Sequence, residues 1–140
     1  MTSYPDQLIT DPQEIFDHVA KHLYTQGRKS MAPSIGSPDN SAAFCAYRSK
    51  DNLSCAIGCL IPDHLYSPAL ESHIIYDLVL KQELFVEWRP IFSFLADLQK
   101  VHDYADDFHG SEYLKQAWKQ ELLKVAIKFN LSPAILDTLA

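Results

Sequence analysis

The sequence predicts an α+β fold that is mostly α, in which one short antiparallel β-hairpin packs with four to five helices. Apolar residues recur at helical spacing along four segments of the chain. Two strand-like stretches, residues 44–48 and 53–61, lie close together between the first and second of these segments. A chain of 140 residues, 47% of them hydrophobic, is enough for one core, so we expect a single domain over residues 1–140.

The first helix is predicted over residues 12–26, after an extended arm at residues 1–10. Asp11 suits the N-cap position, and Glu14 follows three residues later to complete a capping box. Gly27 can adopt the left-handed conformation that ends a helix. These signals at both ends fix the expected bounds of the helix.

Residues 28–42 are rich in serine and proline and predict a surface loop before the hairpin. The hairpin turn is expected at the polar residues 49–52. An odd number of loop residues would place Tyr47 or Cys45 opposite Cys55, whereas an even number would turn Cys45 to the other face. The second strand-like stretch is apolar on both faces, which is typical of a strand covered on both sides.

Three more helices are predicted to begin at Pro68, at Pro90 and after Ser111, since proline suits the first position of a helix and serine the cap before it. The third of these is expected to run to Phe129. A last short turn is expected to open at Pro133.

Composition excludes several classes of function. With 12 basic against 18 acidic residues, the formal charge is -6, which counts against nucleic acid as a partner. No apolar run approaches the ~20 residues of a membrane span, and the first ten residues lack the pattern of a signal peptide. We therefore expect a cytoplasmic protein without a membrane or cofactor, in which Cys45, Cys55 and Cys59 are free thiols.

Two neighbouring stretches carry a spaced motif, Cys45-Ala46-Tyr47-Arg48 and then Cys55-Ala56-Ile57-Gly58-Cys59-Leu60-Ile61-Pro62-Asp63. A later helix contains Leu98-Gln99-x-Val101-His102-Asp103. This pattern resembles a family of small uncharacterised bacterial and phage-encoded proteins, over about residues 12–131. The resemblance implies no particular activity, but a phage or prophage setting favours a protein that binds a host protein or sequesters a small ligand.

The expected function is therefore non-enzymatic binding of a protein or of a small anionic ligand. Arg48 is the expected anchor, because it ends the first predicted strand beside the long loop and offers a planar fork of donors to an anion. The alternative for Arg48 is a structural salt bridge to Asp63 or Glu71. The expected binding residues are Arg28, Lys29, Tyr47, Arg48, Asp63 and Tyr66.

A second hypothesis is a thiol-dependent enzyme that uses Cys55 or Cys59 with His102, which lies on the apolar stripe of its helix. Adjacent helical residues point about 100° apart, so Asp103 is not automatically the partner of His102. Buried, structural thiols are the alternative to a reactive thiol. Zinc is not expected, because in a strand Cys55 and Cys59 would stand about 13 Å apart.

His18 and His22 lie four residues apart on the first helix, a spacing at which two histidines can hold zinc. The glutamate of the His-Glu-x-x-His motif is absent, so we interpret both as residues at the boundary of the core. The sequence also lacks a Gly-rich phosphate loop and a Gly-x-Ser-x-Gly motif. Most of the aromatic residues are expected in the core.

Overall fold

The computed structural model describes residues 4–32 and 44–139. Within these ranges the chain is mostly helical, with four α-helices and two antiparallel ladders of two-residue strands, which confirms the predicted α+β class. The helices are α1 (Pro12–Gln26), α2 (Ile75–Lys81), α3 (Phe92–Tyr104) and α4 (Ser111–Lys128). The strands are β1 (Met31–Ala32), β2 (Phe44–Cys45), β3 (Arg48–Ser49) and β4 (Leu53–Ser54).

Helix α1 has the predicted bounds because both of its ends are capped. The carboxylate of Asp11 accepts a hydrogen bond from the backbone N–H of Glu14 at 2.9 Å. At the other end Gly27 adopts φ 64°, and its N–H donates to Leu23 O at 2.9 Å. Only glycine takes this left-handed conformation without a steric penalty.

The structure differs from the predicted hairpin in the length of the strands and in which strands pair. Residues 44–48 are not one strand: β2 pairs with β1, and β3 pairs with β4. Strand β1 falls within the predicted loop at 28–42, of which residues 33–42 lie outside the described part of the chain. The turn between β3 and β4 has three residues, the odd case, and Cys55 N–H donates to Tyr47 O at 3.3 Å.

The predicted second strand ends at Ser54, seven residues earlier than expected. Beyond it the chain turns, with Cys59 N–H donating to Cys55 O at 3.1 Å, and Gly58–Leu60 forms a 3₁₀ turn. A Cβ on Gly58 would lie 1.8 Å from Tyr47 O, so only glycine allows the two backbones to approach this closely. The run is apolar all round because it is buried among helices, not because sheets cover it.

Two of the predicted helix starts are 3₁₀ segments that lead into helices. Pro68–Ser72 precedes α2, and Glu83–Ile91, which contains Pro90, precedes α3. Helix α4 follows the prediction to within one residue of Phe129. The last predicted turn is the 3₁₀ segment Ala134–Thr138.

One hydrophobic core receives side chains from all four helices and from the buried turn. The predicted N-terminal arm is irregular over its described residues and packs Leu8 and Ile9 against this core. The indole N–H of Trp88 donates to Ile9 O at 2.8 Å and ties the arm down. No helix in the described ranges is long and apolar enough to cross a membrane.

Candidate functional site

Arg48, the expected anchor, is engaged inside the protein. Its Nη1 donates to Asp63 Oδ1 at 2.8 Å and its Nη2 to Ile61 O at 2.6 Å. The guanidinium carbon lies 3.8 Å from the ring centre of Tyr4 and 4.3 Å from that of Tyr66. This sandwich of cation–π contacts and the ion pair to Asp63 match the structural alternative for Arg48.

Glu71 collects the neighbouring donors. Its carboxylate accepts the backbone N–H groups of Tyr47 at 2.9 Å and Arg48 at 3.0 Å, and the hydroxyl of Tyr66 at 2.6 Å. Burial, together with the hydrogen bond to Glu71, raises the pKa of Tyr66. The hydroxyl of Tyr47 donates to His73 O at 2.7 Å, and burial raises its pKa as well. These predicted site residues come together, but their polar groups bind one another.

Arg28 and Lys29 belong to a different surface. With Lys50 they line a cavity of about 360 Å³ beside the N-terminus of α4. Arg28 is exposed, whereas the ammonium group of Lys29 donates to Asp103 O at 2.8 Å and Ala105 O at 3.0 Å. Lys29 therefore satisfies carbonyl groups at the C-terminal end of α3, where helix geometry leaves them without partners.

His102 and Asp103 lie at the centre of a buried polar network. The backbone N–H of Ser30 donates to His102 Nε2 at 3.0 Å, so the ring proton resides on Nδ1, which donates to Asp103 Oδ1 at 2.9 Å. Gln99 Nε2 donates to the same oxygen at 3.0 Å, while Gln99 Oε1 accepts the N–H of Ile57 at 3.1 Å. The pairing of His102 with Asp103, which sequence adjacency left open, is therefore present in the structure.

The cysteine that forms a cluster with His102 and Asp103 is Cys45, rather than the expected Cys55 or Cys59. Its sulfur, a ring nitrogen of His102 and a carboxylate oxygen of Asp103 all lie within 4.8 Å of one another. Burial, then a hydrogen bond to Asp103, raises the pKa of Cys45 to about 12. Burial also raises the pKa of Cys55 to about 12 and that of Cys59. High pKa values disfavour the thiolate that nucleophilic chemistry needs.

Sequence reasoning missed Cys45 because it placed this residue in the wrong ladder. Strand β2 pairs with β1 in a register that places Cys45 opposite Met31. Met31 directly follows Ser30, whose N–H donates to His102 Nε2. The distance argument against a shared ion at Cys55 and Cys59 also fails, since the two residues lie on one turn rather than along a strand.

The α1 histidines hold the buried turn by its carbonyl groups. His18 Nε2 lies 3.1 Å from Cys59 O, and His22 Nε2 lies 2.8 Å from Ser54 O. Gln26 accepts the N–H of Ser54 at 3.0 Å and donates to its carbonyl at 3.0 Å. Desolvation lowers the pKa of His22 to about 4 and lowers that of His18. His18 is a boundary residue as expected, whereas His22 is buried.

A second surface, which the sequence analysis did not single out, is formed by aromatic side chains between α3 and α4. Tyr104 is 79% exposed, Phe108 85% and Tyr113 52%. The ring of His109 meets Phe108 at 5.3 Å and Tyr113 at 4.9 Å, in edge-to-face contacts. We call these four residues the aromatic surface. Helical spacing hid it, because Tyr104 and Tyr113 lie on predicted helices.

The loop that carries the aromatic surface is held in place. Lys29 binds the carbonyl of Ala105 at its start. Asp106 Oδ1 accepts the N–H of Phe108 at 2.8 Å, which closes an Asx-type turn. Gly110 then adopts φ 96° and leads into α4. The connection between α3 and α4, which positions the exposed rings, is thus short and held by hydrogen bonds.

A groove runs from the aromatic surface along the seam of α3 and α4. It has a volume of about 570 Å³, and Tyr104 and Tyr113 line its end. Two of its charged pairs are already satisfied, Lys128 with Asp97 at 2.6 Å and Lys124 with Glu121 at 3.0 Å. Its apolar lining comes from Val101, Ala105, Ala117 and Val125.

In the comparisons with known proteins, no family model, no curated protein and no solved structure matches this chain. The resemblance of the cysteine motif to small bacterial and phage-encoded proteins stays an expectation.

Proposed function

We propose that the protein is a non-enzymatic interaction module that binds a protein partner through the aromatic surface and the adjoining α3–α4 groove. The observation that carries this proposal is the exposure of Tyr104, at 79%, at the end of α3 and of Phe108, at 85%, on the hydrogen-bonded connection that follows. Clustered exposed aromatic rings mark interaction sites, and aromatic anchors supply much of the binding energy of protein interfaces.

The partner is expected to present apolar side chains. The groove pairs Lys128 and Lys124 with acids of its own helices, and beside Lys100 and Asp106 its lining consists of apolar side chains and aromatic rings. A ring that docks there stacks against Tyr104 or Phe108 and displaces water from about 570 Å³ of groove. The formal charge of -6 disfavours nucleic acid as the occupant.

The other hypotheses have less support. A small anion at Arg48 would have to replace Asp63, which is bound at 2.8 Å. A thiol enzyme would need a thiolate from Cys45, Cys55 or Cys59, and burial raises all three pKa values.

Capture of partners from cells of the source, compared between two double variants, tests the proposal. The first variant, Tyr104→Ser with Phe108→Ser, removes the two most exposed rings of the aromatic surface. The matched control, Ile74→Ser with Leu84→Ser, removes apolar residues that are 69% and 52% exposed away from it. Both variants are expected to fold, since exposed side chains contribute little to stability.

The expected result is one set of partners that wild type and the Ile74/Leu84 control both capture and that the Tyr104/Phe108 variant loses. Quantitative mass spectrometry of the captured proteins reports this directly. If the Tyr104/Phe108 variant captures the wild-type set in full while the Ile74/Leu84 control loses it, the docking surface is the other one and the proposal is wrong.

A further inference from the structure

Three side chains of the kinds that bind zinc meet near the C-terminal end of α3, and none of them belongs to the aromatic surface. Within the described ranges, Cys45, His102 and Asp103 are the group whose ligand atoms could hold an ion, and these atoms all lie within 4.8 Å of one another. We propose that they form a binding site for a thiophilic divalent cation, with zinc as the expected ion.

The donor set suits zinc. Thiolate, imidazole and carboxylate are its ordinary protein ligands, and three of them leave a fourth tetrahedral position open. The thioether sulfur of Met31 lies 3.6 Å from Cys45 Sγ and borders that position. Soft sulfur donors favour zinc over magnesium or calcium, which prefer oxygen ligands only.

An ion can reach the site, and its charge would be offset there. Cys45 is half-buried, and the side chain of Asp103 is 28% exposed, although His102 is fully buried. A thiolate at Cys45 and the carboxylate of Asp103 together balance a dication. The ammonium group of Lys29 donates to the backbone carbonyls of Asp103 and Ala105 rather than to the carboxylate. Lys29 therefore does not occupy the carboxylate oxygens that would bind the ion.

Binding requires a defined change in hydrogen bonding. His102 Nε2 is covered by the N–H of Ser30, so Nδ1, which faces Asp103, is the nitrogen available to the ion. The ion displaces the thiol proton of Cys45 to solvent, and the imidazole proton moves from Nδ1 to Nε2. The N–H of Ser30 then loses its acceptor. This loss weakens binding, and it also gives the site a signature that a surface ion would not produce.

Titration of the full-length, reduced, chelator-treated protein with Co²⁺, a spectroscopic probe for zinc sites, tests the proposal. We expect a thiolate-to-cobalt charge-transfer band and tetrahedral d–d bands that saturate at one equivalent and disappear when Zn²⁺ is added. In ¹⁵N NMR spectra with Zn²⁺, the Ser30 amide resonance should shift and His102 should change tautomer. Absence of the charge-transfer band in wild type overturns the proposal.

Two variants locate the ion. Cys45→Ser removes the proposed thiolate but keeps Cys55 and Cys59, so the band should vanish while the metal-free melting temperature stays close to wild type. His64→Gln removes an exposed histidine outside the cluster and should leave the titration unchanged. A band that persists in Cys45→Ser places the ion elsewhere and contradicts the proposal. If Cys45→Ser does not fold, the Ser30 and His102 signals of wild type decide the question.

The cation site and the docking surface can fail separately. The Tyr104/Phe108 double variant is expected to keep the full cobalt spectrum, because neither ring is among the proposed ligands.

Discussion

The buried turn after β4 and the aromatic surface differ in whether their groups find partners within the protein. In the turn, side chains of α1 and α3 satisfy the backbone: Gln26 binds Ser54 through two hydrogen bonds, and Gln99 binds the N–H of Ile57. On the aromatic surface, Tyr104 and Phe108 present apolar area to solvent. The first region contains most of the motif residues, yet the second has the features of a docking site.

The difference teaches how a spaced motif should be interpreted in this chain. Once a strand leaves its ladder, its buried N–H and C=O groups need other partners, because an unpaired buried polar group costs about 1–3 kcal/mol. Histidines, glutamines and cysteines around residues 54–59 supply these partners. The motif thus describes a scaffold whose polar side chains replace a sheet.

The largest effect is expected for Gly58→Ala, which breaks the scaffold side of the comparison. The new Cβ would lie 1.8 Å from Tyr47 O, a backbone atom that cannot move aside cheaply. We expect a loss of about 4 kcal/mol in the free energy of unfolding, measured by urea denaturation.

Gly110→Ala is the matched control for this prediction. Nothing within 4 Å meets its Cβ, although φ 96° is strained for alanine, so its cost should be about 1–2 kcal/mol. Equal costs for the two variants would show that the close approach at Gly58 does not matter.

Acid should weaken the scaffold through His22. Desolvation lowers its pKa from 6.5 to about 4. Between these two values His22 is protonated in the unfolded chain but not in the folded state. Stability is therefore complete above pH 6.5 and falls by about 3 kcal/mol as pH drops to 4, with His18 acting in the same direction.

His22→Gln isolates this contribution, because the glutamine amide can still donate to Ser54 O but does not titrate. Its unfolding free energy should change less between pH 6.5 and pH 4 than that of wild type, as measured by denaturation at each pH. An identical pH dependence in the two proteins would remove His22 as the cause.

A smaller loss is expected for Asp103→Asn. The carboxylate oxygen Oδ1 accepts hydrogen bonds from both His102 and Gln99, and the neutral amide oxygen of asparagine is a weaker acceptor than an ionised carboxylate. We expect a cost of about 2 kcal/mol in urea denaturation. Asp107→Asn, at an exposed acid nearby, controls for the change in charge and should be neutral; a similar loss there would point to charge rather than the network.

The smallest effect is expected for Tyr104→Ser with Phe108→Ser. Both side chains are exposed, so the free energy of unfolding should change by less than about 0.5 kcal/mol. A loss of several kcal/mol in thermal or chemical denaturation would mean that these rings belong to the fold, and the comparison would collapse.

The ends of helices could be predicted from the sequence where a residue that stops or caps a helix marks them. The bounds of α1 follow from Asp11 and Gly27, and the end of α4 from Asn130, which adopts φ 56° just beyond the helix. The prediction of a strand after Ser54 was wrong because an apolar run fits a buried turn as well as a buried strand. Periodicity does not separate these two cases.

The candidate sites depended on pairings that sequence spacing does not encode. Cys45 reaches Asp103 only because β2 pairs with β1. Tyr104 was hidden because a helical period gives the face of a residue but not whether another helix covers that face. Arg48 was correctly linked to Asp63 as an alternative, since the two residues lie within reach across the turn.

The most direct measurement of the central claim is hydroxyl-radical footprinting of the wild-type protein in a lysate of its source cells, compared with buffer. A partner docked on the aromatic surface should reduce labelling of Tyr104, Phe108 and Tyr113 several-fold. Labelling of Ile74 and Leu84, which are similarly exposed elsewhere, should stay constant. Unchanged labelling of the three rings, or protection confined to Ile74 and Leu84, would contradict the account.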